Sequence, residues 1–595
     1  MENELVEEKQ IKSTLPARIS FAVITPLLCF VIMEILESGT AFLSTVPCLY
    51  ALLNIAFYAL GYLLVLSLSR STKAAAIFTV LLTVVAGIIN YYCVLWRVIP
   101  LALGDFGAAF TVGSVLSGYR LVVPPRVITA CIIALAYIIT VFCVRTKRPK
   151  KETGRKMRES AAGVLLSAGL LTVLCFLPVY DIDITGANGV HFEKYGYIVS
   201  FISDAKNTVR PPKGYDILAI DEKCGEAAVS ESSKRPDVIV IMNESFADMS
   251  VTGDFETNID VLPNLTELKK SCVSGQVMTF GLGGGTSLSE FEFLTRSSQA
   301  LLSYTGVPYL QYMFKRHTPS LATHFKSLGY DITALHPAQA INYNRDKVYP
   351  QLDIDRFYDI EYFSDLSSPR GFLDDYKCYQ RMLDFYDSTD SSSPQFIFTI
   401  TMQNHGGYYD EGDLESEDVR VTSFDATYDV NRYLTLAHKS DAALGWLIDE
   451  LEKRDRPVVL LFFGDHQPLL ETEFYNTVFG AEEKNWTDEQ QLRRHETPFI
   501  IWSSDGIEAC DEGKTSLNYL GSILLEKAGL PLTGYDRFLL EMRKDIPAMG
   551  GCVYFDNDGG IHIAEKENND WLRMYRMMQY NCLFDENKSE KLFAY

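Results

Sequence analysis

The sequence predicts a membrane helix bundle of five transmembrane helices, followed by an α/β domain with a largely parallel central sheet. Three observations predict it. Five long apolar runs crowd the first 180 of 595 residues. Beyond them, short apolar runs alternate with amphipathic helical stretches. Four of those short runs end in polar residues of the kinds that ligate metals or move protons.

The long runs are Ile19–Leu36, Val46–Leu68, Ala74–Trp96, Val127–Val144 and Ala161–Val179. Each approaches or exceeds the roughly 18–20 residues that cross a bilayer as a helix. A buried core helix could imitate one such run, but not five in succession. Residues 1–18 read as a cytoplasmic tail and 19–180 as the bundle. No small-residue cleavage pattern follows the first run, so it reads as a retained anchor. Arg70 and Lys73 follow the second run, and a basic loop from Arg145 to Arg158 follows the fourth. The loop Ser38 to Ser44 has no basic residue. The positive-inside rule then makes the amino terminus cytoplasmic and puts everything beyond about Tyr180 outside the plasma membrane. The connection Arg97 to Arg126 carries three arginines on that outer side. Its Gly-rich part, Gly104 to Gly118, reads as a surface-lying or re-entrant piece.

Charge divides the chain further. Residues 1–180 carry 16 Lys and Arg against 9 Asp and Glu, which leaves 38 against 67 for the remainder. So acidic a domain repels phosphate backbones, which argues against nucleic acid as a partner. It suits solubility outside a cell and attraction of cations. Six cysteines lie in the membrane part, and Cys224, Cys272, Cys378, Cys510, Cys552 and Cys582 lie beyond it. None has C-x-x-C spacing, so no zinc ribbon or thioredoxin-like motif is supported.

Residues 181–235 read as a membrane-proximal linker with one helix near Phe192–Ala205, then Pro211-Pro212-Lys213-Gly214. Residues 236–550 read as the catalytic domain and 551–595 as its C-terminal extension. Strands are expected at Val238–Met242, Ile332–Leu335, Phe396–Met402, Val458–Phe463 and Phe499–Trp502. Helices are expected at Ser320–Leu328, Leu373–Tyr386, Asp425–Glu452 and Ser516–Ala528. Gly329 after Leu328 is an ordinary helix stop.

The run Val458–Phe463 stops at Gly464-Asp465-His466. Its residues suit a strand buried on both faces, and open α/β sheets carry their sites at strand carboxyl ends. Three other strands end in Asn243-Glu244-Ser245, His336 and Gln403-Asn404-His405. In a parallel sheet all four endings meet at one edge. Asp and His are common ligands of Zn²⁺- or Mn²⁺-type ions. Between the first two strands lies Gly281-Leu282-Gly283-Gly284-Gly285-Thr286-Ser287, followed by a helix-like apolar and acidic stretch. Such glycines let backbone approach a phosphate or metal, and a helix amino terminus favours an anion. A flexible turn has the same composition, and the Walker pattern is absent.

Glu244-Ser245 after a strand, Gly284-Gly285-Thr286 before Glu290-Phe291-Glu292-Phe293-Leu294-Thr295, and Phe463-Gly464-Asp465-His466-Gln467-Pro468 occur here in that order. This pattern resembles lipoteichoic acid synthases and related phosphoglycerol transferases of the alkaline phosphatase/sulfatase superfamily, as does the five-helix plan ahead of an outer sulfatase-like domain. The resemblance implies that Glu244, Thr286, Asp465 and His466 ligate one divalent metal, with Mn²⁺ expected and Mg²⁺ or Zn²⁺ as alternatives. It implies that Thr286 is the nucleophile, activated by the ion beside its hydroxyl. Ser287 reads as a cap. His336, Tyr343, Arg345 and His405 match the substrate-binding cluster, with Arg345 clamping a phosphate through its fork of donors and the histidines bonding substrate or shuttling a proton. Tyr343 stands where relatives usually have Trp, and Ala338 where they commonly have an acidic residue, which bears on headgroup and acceptor preference. Packing is an equal reading for Tyr343.

The implied activity moves glycerol phosphate from phosphatidylglycerol, through a threonine intermediate, to glycerol, a glycolipid or a polyglycerolphosphate chain, at a bacterial plasma membrane. Thr286-Ser287-Leu288-Ser289-Glu290 lacks the Cys- or Ser-x-Pro-x-Arg site of a sulfatase. Phosphoethanolamine transferases usually carry Gly-Glu-Thr where this chain has Asn243-Glu244-Ser245. A membrane-anchored sensor on a degenerate transferase fold is the non-enzymatic alternative, and the intact Glu, Thr, Asp and His set argues against it.

Overall fold

The computed structural model describes residues 2–97, 100–103, 105, 123–144, 155–177, 190–207, 211–225, 235–302, 306–366, 368, 370–389, 392–408, 418–564 and 569–594. Four helical stretches are long and apolar enough to span a membrane: Ile19–Ser38, Cys48–Ser69, Thr72–Leu95 and Pro125–Cys143. The fifth helix, Arg155–Cys175, carries a shorter apolar stretch, Glu159–Cys175. Basic residues occupy its first turn, which is why less of it is apolar. It packs along the second helix so closely that a Cβ on Gly163 would lie 2.5 Å from Ser67 Oγ. The Gly104–Gly118 piece and the Lys-rich start of the basic loop lie largely outside the described residues.

The expected single linker helix is two helices, Val190–Tyr195 and Tyr197–Asn207. The break falls at Gly196, whose φ of +79° suits glycine. Membrane helices supply the caps of the second one. Glu34 Oε1 accepts from Tyr197 N–H at 2.9 Å, and Asn54 Oδ1 accepts from Ile198 and Val199 N–H at 2.9 and 3.2 Å. These three N–H groups have no partner within their own helix, so the side chains complete it.

The C-terminal domain is built on eight strands: β1 Asp237–Asn243, β2 Val273–Met278, β3 Asp331–Leu335, β4 Arg356–Tyr358, β5 Gln395–Ile400, β6 Val458–Gly464, β7 Glu496–Ser503 and β8 Cys510–Ser516. Their order is β4-β3-β5-β1-β6-β7-β2-β8, and only β7 runs antiparallel to its neighbours. β1 sits between β5 and β6, with Met242 beside Ile400 and Asn243 beside Gly464. Every residue of β1, β5 and β6 is buried. Alternate side chains face two cores. Val238, Val240 and Met242 pack with Leu288, Phe293 and Phe325, whereas Ile239 and Ile241 pack with Leu434, Ala437 and Leu444. Continuous apolar sequence is what a sheet covered on both faces requires.

The expected helices appear as Leu321–Ser327, Asp375–Asp387, Tyr428–Leu451 and Leu517–Lys527. Strands β2, β4 and β8 were not expected. β4 has three residues and β8 reads Cys-Asp-Glu-Gly-Lys-Thr-Ser, a polar edge strand. β2 contains Gly275, where a Cβ would meet Gly513 O at 2.6 Å and the Phe499 ring at 2.7 Å. After the large sheet come β9 Ala548–Gly550, β10 Val553–Phe555 and β11 Ile561–Ile563, a small antiparallel sheet. The helix Asp570–Leu583 then returns Leu572, Tyr575 and Met578 to the same core as Val238 and Val240.

A buried ion pair ties this C-terminal part to the centre. Arg296, just past the helix Thr286–Thr295, donates from Nη1 to Asp536 Oδ1 at 2.8 Å, with both side chains at most 1% exposed. Ser522 and Thr533 also donate to Asp536. Burial alone would raise the Asp536 carboxyl, but Arg296 reverses this and holds it well below the usual range. The pair's contribution is therefore complete above the ordinary carboxylate pKa of about 3.9 and is lost only as pH falls below it. Asp536→Ala leaves the Arg296 charge buried without compensation. It should lower unfolding stability at neutral pH by about 3–5 kcal/mol, read from denaturant midpoints of the full chain in detergent. An unchanged midpoint would contradict the pairing.

Candidate active site

The parallel central strands bring their carboxyl ends to one edge, and the expected residues gather there. Glu244 follows β1, His336 follows β3, His405 lies five residues beyond β5, and Asp465-His466 follow β6. Gly464 permits the close approach of the β1 and β6 ends, because a Cβ there would lie 1.9 Å from Phe246 O. Glu244, Asp465 and His466 are buried with one ligand atom each, all within 4.8 Å of one another.

Hydrogen bonds aim these atoms. Asp465 Oδ1 accepts from Ser245 N at 2.7 Å and His466 N at 2.8 Å, and Oδ2 has no hydrogen-bond partner. His466 Nδ1 donates to Gln467 O at 3.0 Å, so Nε2 carries the lone pair. That Nε2 lies 3.3 Å from Asp465 Oδ2 and 3.6 Å from Glu244 Oε1, and has no hydrogen-bond partner. Burial, reinforced by Glu244, pushes the Asp465 carboxyl up to about 7. Burial opposes an imidazolium at His466, but Asp465 and Glu244 outweigh it and raise its pKa. Buried acceptor atoms pointing at one another are what a cation requires, so the donor set fits a small divalent ion.

Thr286 is the first residue of its helix, preceded by Gly285 at φ +95°. Its Oγ1 donates to Glu244 Oε2 at 3.1 Å, which brings it to the same cluster. Ser287 is not the cap: Gly285 takes that position, and the buried Ser287 hydroxyl has no hydrogen-bond partner.

Ser245, which the sequence pattern contains without assigning it a role, bridges the cluster. Its Oγ donates to Glu244 Oε1 at 3.0 Å, and its φ of +51° is strained for a serine. Behind it, Asp375 Oδ2 accepts from Asn243 Nδ2 and Ser440 Oγ, both at 2.6 Å, and Asn404 Nδ2 donates to Asn243 Oδ1 at 3.1 Å. This network fixes the β1 end to the loop carrying His405. Arg370 secures that loop by donating to Gln403 O and His405 O. No local signal marks the partners of Asn243, Asp375, Asn404 and Arg370, because each of these pairs is more than 30 residues apart.

The substrate-type residues sit beside the cluster. Burial, then the Arg345 charge, lowers the His336 pKa well below its ordinary value, so the ring is neutral. Its Nδ1 donates to Ile400 O at 3.2 Å, which leaves Nε2 as an acceptor. Burial also lowers His405, whose ring packs 4.8 Å from that of Phe372. Tyr343 has φ +55°, and its ring lies 5.3 Å from the Arg345 guanidinium.

Arg345 differs from expectation. Its Nε and Nη2 edge is engaged by Glu290, with Nε at 3.0 Å and Nη2 at 2.5 Å from Oε1. A guanidinium this buried needs a counter-ion, and Glu290 supplies it. One edge of the fork expected for a phosphate clamp is therefore already taken.

Adding Mn²⁺ at about 100 times its dissociation constant should stabilise the protein by about 2.7 kcal/mol. Asp465→Asn should erase that shift in a thermal melt. Burial and Glu244 raise the Asp465 carboxyl, and Asp465 and Glu244 raise His466, so metal binding competes with protons at this cluster and affinity should fall on acidification. A shift retained in the variant would contradict the site.

Residues 236–530 match the family model named Sulfatase. A Rhizobium meliloti protein named for cyclic beta-1,2-glucan modification is 30% identical over 430 residues, 68% of this chain and 64% of that one. The lipoteichoic acid synthase of Staphylococcus aureus is 31% identical over 156 residues, 24% of this chain and 22% of that one. The chain spans less than two thirds of the length of its first curated relatives. The solved Streptococcus pyogenes phosphoglycerol transferase GacH, in complex with sn-glycerol-1-phosphate, aligns with a TM-score of 0.51 at 20% identity, covering 63% of this chain and 95% of that one. That likeness speaks to the fold alone. With apolar helices long enough to span a membrane ahead of this sheet edge, the chain carries at residues 236–530 a domain of the Sulfatase family, within the alkaline phosphatase/sulfatase superfamily, and is similar to lipoteichoic acid synthases.

Proposed function

We propose that this protein is a metal-dependent phosphoglycerol transferase of a bacterial plasma membrane. The single observation that carries the reading is the Thr286 hydroxyl, at a helix amino terminus, bonded to Glu244 within the Glu244, Asp465 and His466 cluster. Thr286 Oγ attacks the phosphorus of phosphatidylglycerol. The bond from phosphorus to the diacylglycerol oxygen breaks, and diacylglycerol leaves with the proton given up by the Thr286 hydroxyl. The glycerophosphoryl group remains on Thr286. An acceptor hydroxyl then attacks the same phosphorus, the bond from phosphorus to Thr286 Oγ breaks, and the acceptor's proton passes to neutral His336 at Nε2, the acceptor nitrogen set by the Ile400 bond, and from there restores the Thr286 hydroxyl. His405 binds substrate oxygens beside it, and Tyr343 packs against the headgroup and Arg345. A divalent ion, Mn²⁺ before Mg²⁺ or Zn²⁺, supplies Lewis-acid stabilisation of charge on the transferring group when bound.

The amino terminus lies in the cytoplasm and the catalytic domain outside, where the bundle holds it against the donor lipid. The acceptor is glycerol, a glycolipid or a growing polyglycerolphosphate chain. The likeness to a protein named for glucan modification favours a glycan hydroxyl as a second class of acceptor.

Thr286→Ala should reduce diacylglycerol release from labelled phosphatidylglycerol by roughly 10³-fold or more. Mass spectrometry of the trapped wild-type protein should place glycerophosphate on Thr286. Full activity in the variant would remove the nucleophile. Transfer of phosphoethanolamine in place of phosphoglycerol would overturn the donor.

A further inference from the structure

Glu290 is a fully buried carboxylate that the transfer steps do not use. It lies one turn beyond Thr286 on the same helix, so the two share a face. Its Oε1 accepts from Arg345 Nε and Nη2, and Oε2 accepts from Tyr349 OH at 2.7 Å and more weakly from Arg345 Nε at 3.3 Å. The remaining guanidinium nitrogen, Nη1, reaches Asn342 O at 3.4 Å. Arg345 is thereby held by one edge, and its charge is cancelled where it stands.

The charge balance of the site follows. Glu244 and Asp465 offset a divalent ion, and Glu290 offsets Arg345. Arg370 stands behind His405, with its donors committed to the Gln403, His405 and Gly407 carbonyls. Those neutral carbonyls do not cancel the Arg370 charge, so the described residues of the cluster leave at most one positive charge, which answers one negative charge on the ligand and not a second. A phosphodiester carries one negative charge, whereas a phosphomonoester carries close to two above its second pKa near 6.

We propose that Glu290 is a specificity-determining residue that, by cancelling Arg345, makes the site select singly charged phosphodiesters over doubly charged phosphomonoesters. This rests on reading the site as a phosphoryl-transfer centre. It gives a chemical reason for the site to take an intact lipid headgroup and to release rather than retain free glycerol phosphate.

The test compares two ligands with one backbone, glycerophosphoglycerol and sn-glycerol 3-phosphate. Each is titrated at pH 8 into the full-length, Mn²⁺-loaded protein in detergent. The wild type should bind the diester more tightly. Glu290→Gln should move the ratio of the two dissociation constants toward the monoester by about tenfold or more, the effect of one unit charge within about 10 Å at an effective dielectric of about 20. Glu290→Asp keeps the charge and should keep the wild-type ratio even if both ligands weaken. The double variant Arg345→Gln, Glu290→Gln removes both charges and should return the ratio to within about threefold of wild type. If Glu290→Gln alone fails to fold, Arg345→Gln, which leaves the Glu290 charge uncancelled, decides the matter, because it should move the ratio about tenfold further toward the diester. A purely structural role would weaken both ligands alike and leave the ratio unmoved. That result, or a wild type that prefers the monoester, overturns the proposal. A wild type that fails to transfer phosphoglycerol yet shows the charge-dependent ratio overturns the donor assignment alone.

Discussion

Two carboxylates and an imidazole lone pair, buried within 4.8 Å of one another with acceptor atoms left unbonded, are the constraint on which the rest of the domain depends. Such a cluster is costly without a cation, because buried acceptors lose water and gain nothing. The surrounding structure keeps it nonetheless. Backbone N–H groups of Ser245 and His466 hold one oxygen of Asp465, Gln467 O orients His466, and Ser245 accepts a strained backbone to reach Glu244. Each of these contacts turns a ligand atom inward.

The sheet makes the convergence possible. β1 and β6 are adjacent and parallel, so Glu244 and Asp465 leave neighbouring strands at the same level. Gly464 removes the Cβ that would separate them. The helix Thr286–Thr295 then approaches the same edge and contributes both Thr286 at its start and Glu290 one turn later. At its far end Arg296 is locked to Asp536. One short helix thus links the Thr286 hydroxyl, the balance of charge around Arg345 and the C-terminal core. The membrane end follows a similar logic. Glu34 and Asn54 are costly in spanning helices, and they serve there to cap the first N–H groups of the linker helix Tyr197–Asn207.

Much of this is legible in the sequence because the signals are local. The central strands read as apolar runs, and the polar residues that end them mark Glu244, His336, His405 and Asp465-His466. Helix ends such as Gly329 carry their own punctuation. Other features depend on distant partners. β8 has the composition of a loop until it pairs with β2. Glu290 looks like one acidic residue in an apolar helix, and nothing nearby reveals that Arg345, 55 positions away, will occupy it. The same long-range pairing converts the phosphate clamp expected of Arg345 into a half-engaged one. Gly196 does carry a local signal for the break in the linker helix, since glycine inside a helical pattern is unfavourable.

The central claim is that Glu244, Thr286, Asp465 and His466 share one ion. Anomalous diffraction from crystals grown with Mn²⁺ tests it directly. The account predicts one strong peak about 2.0–2.3 Å from an atom of each of the four residues, as first-row ions require with such ligands. A peak bound elsewhere, or a peak at the carboxylates with Thr286 Oγ beyond bonding distance, would contradict it.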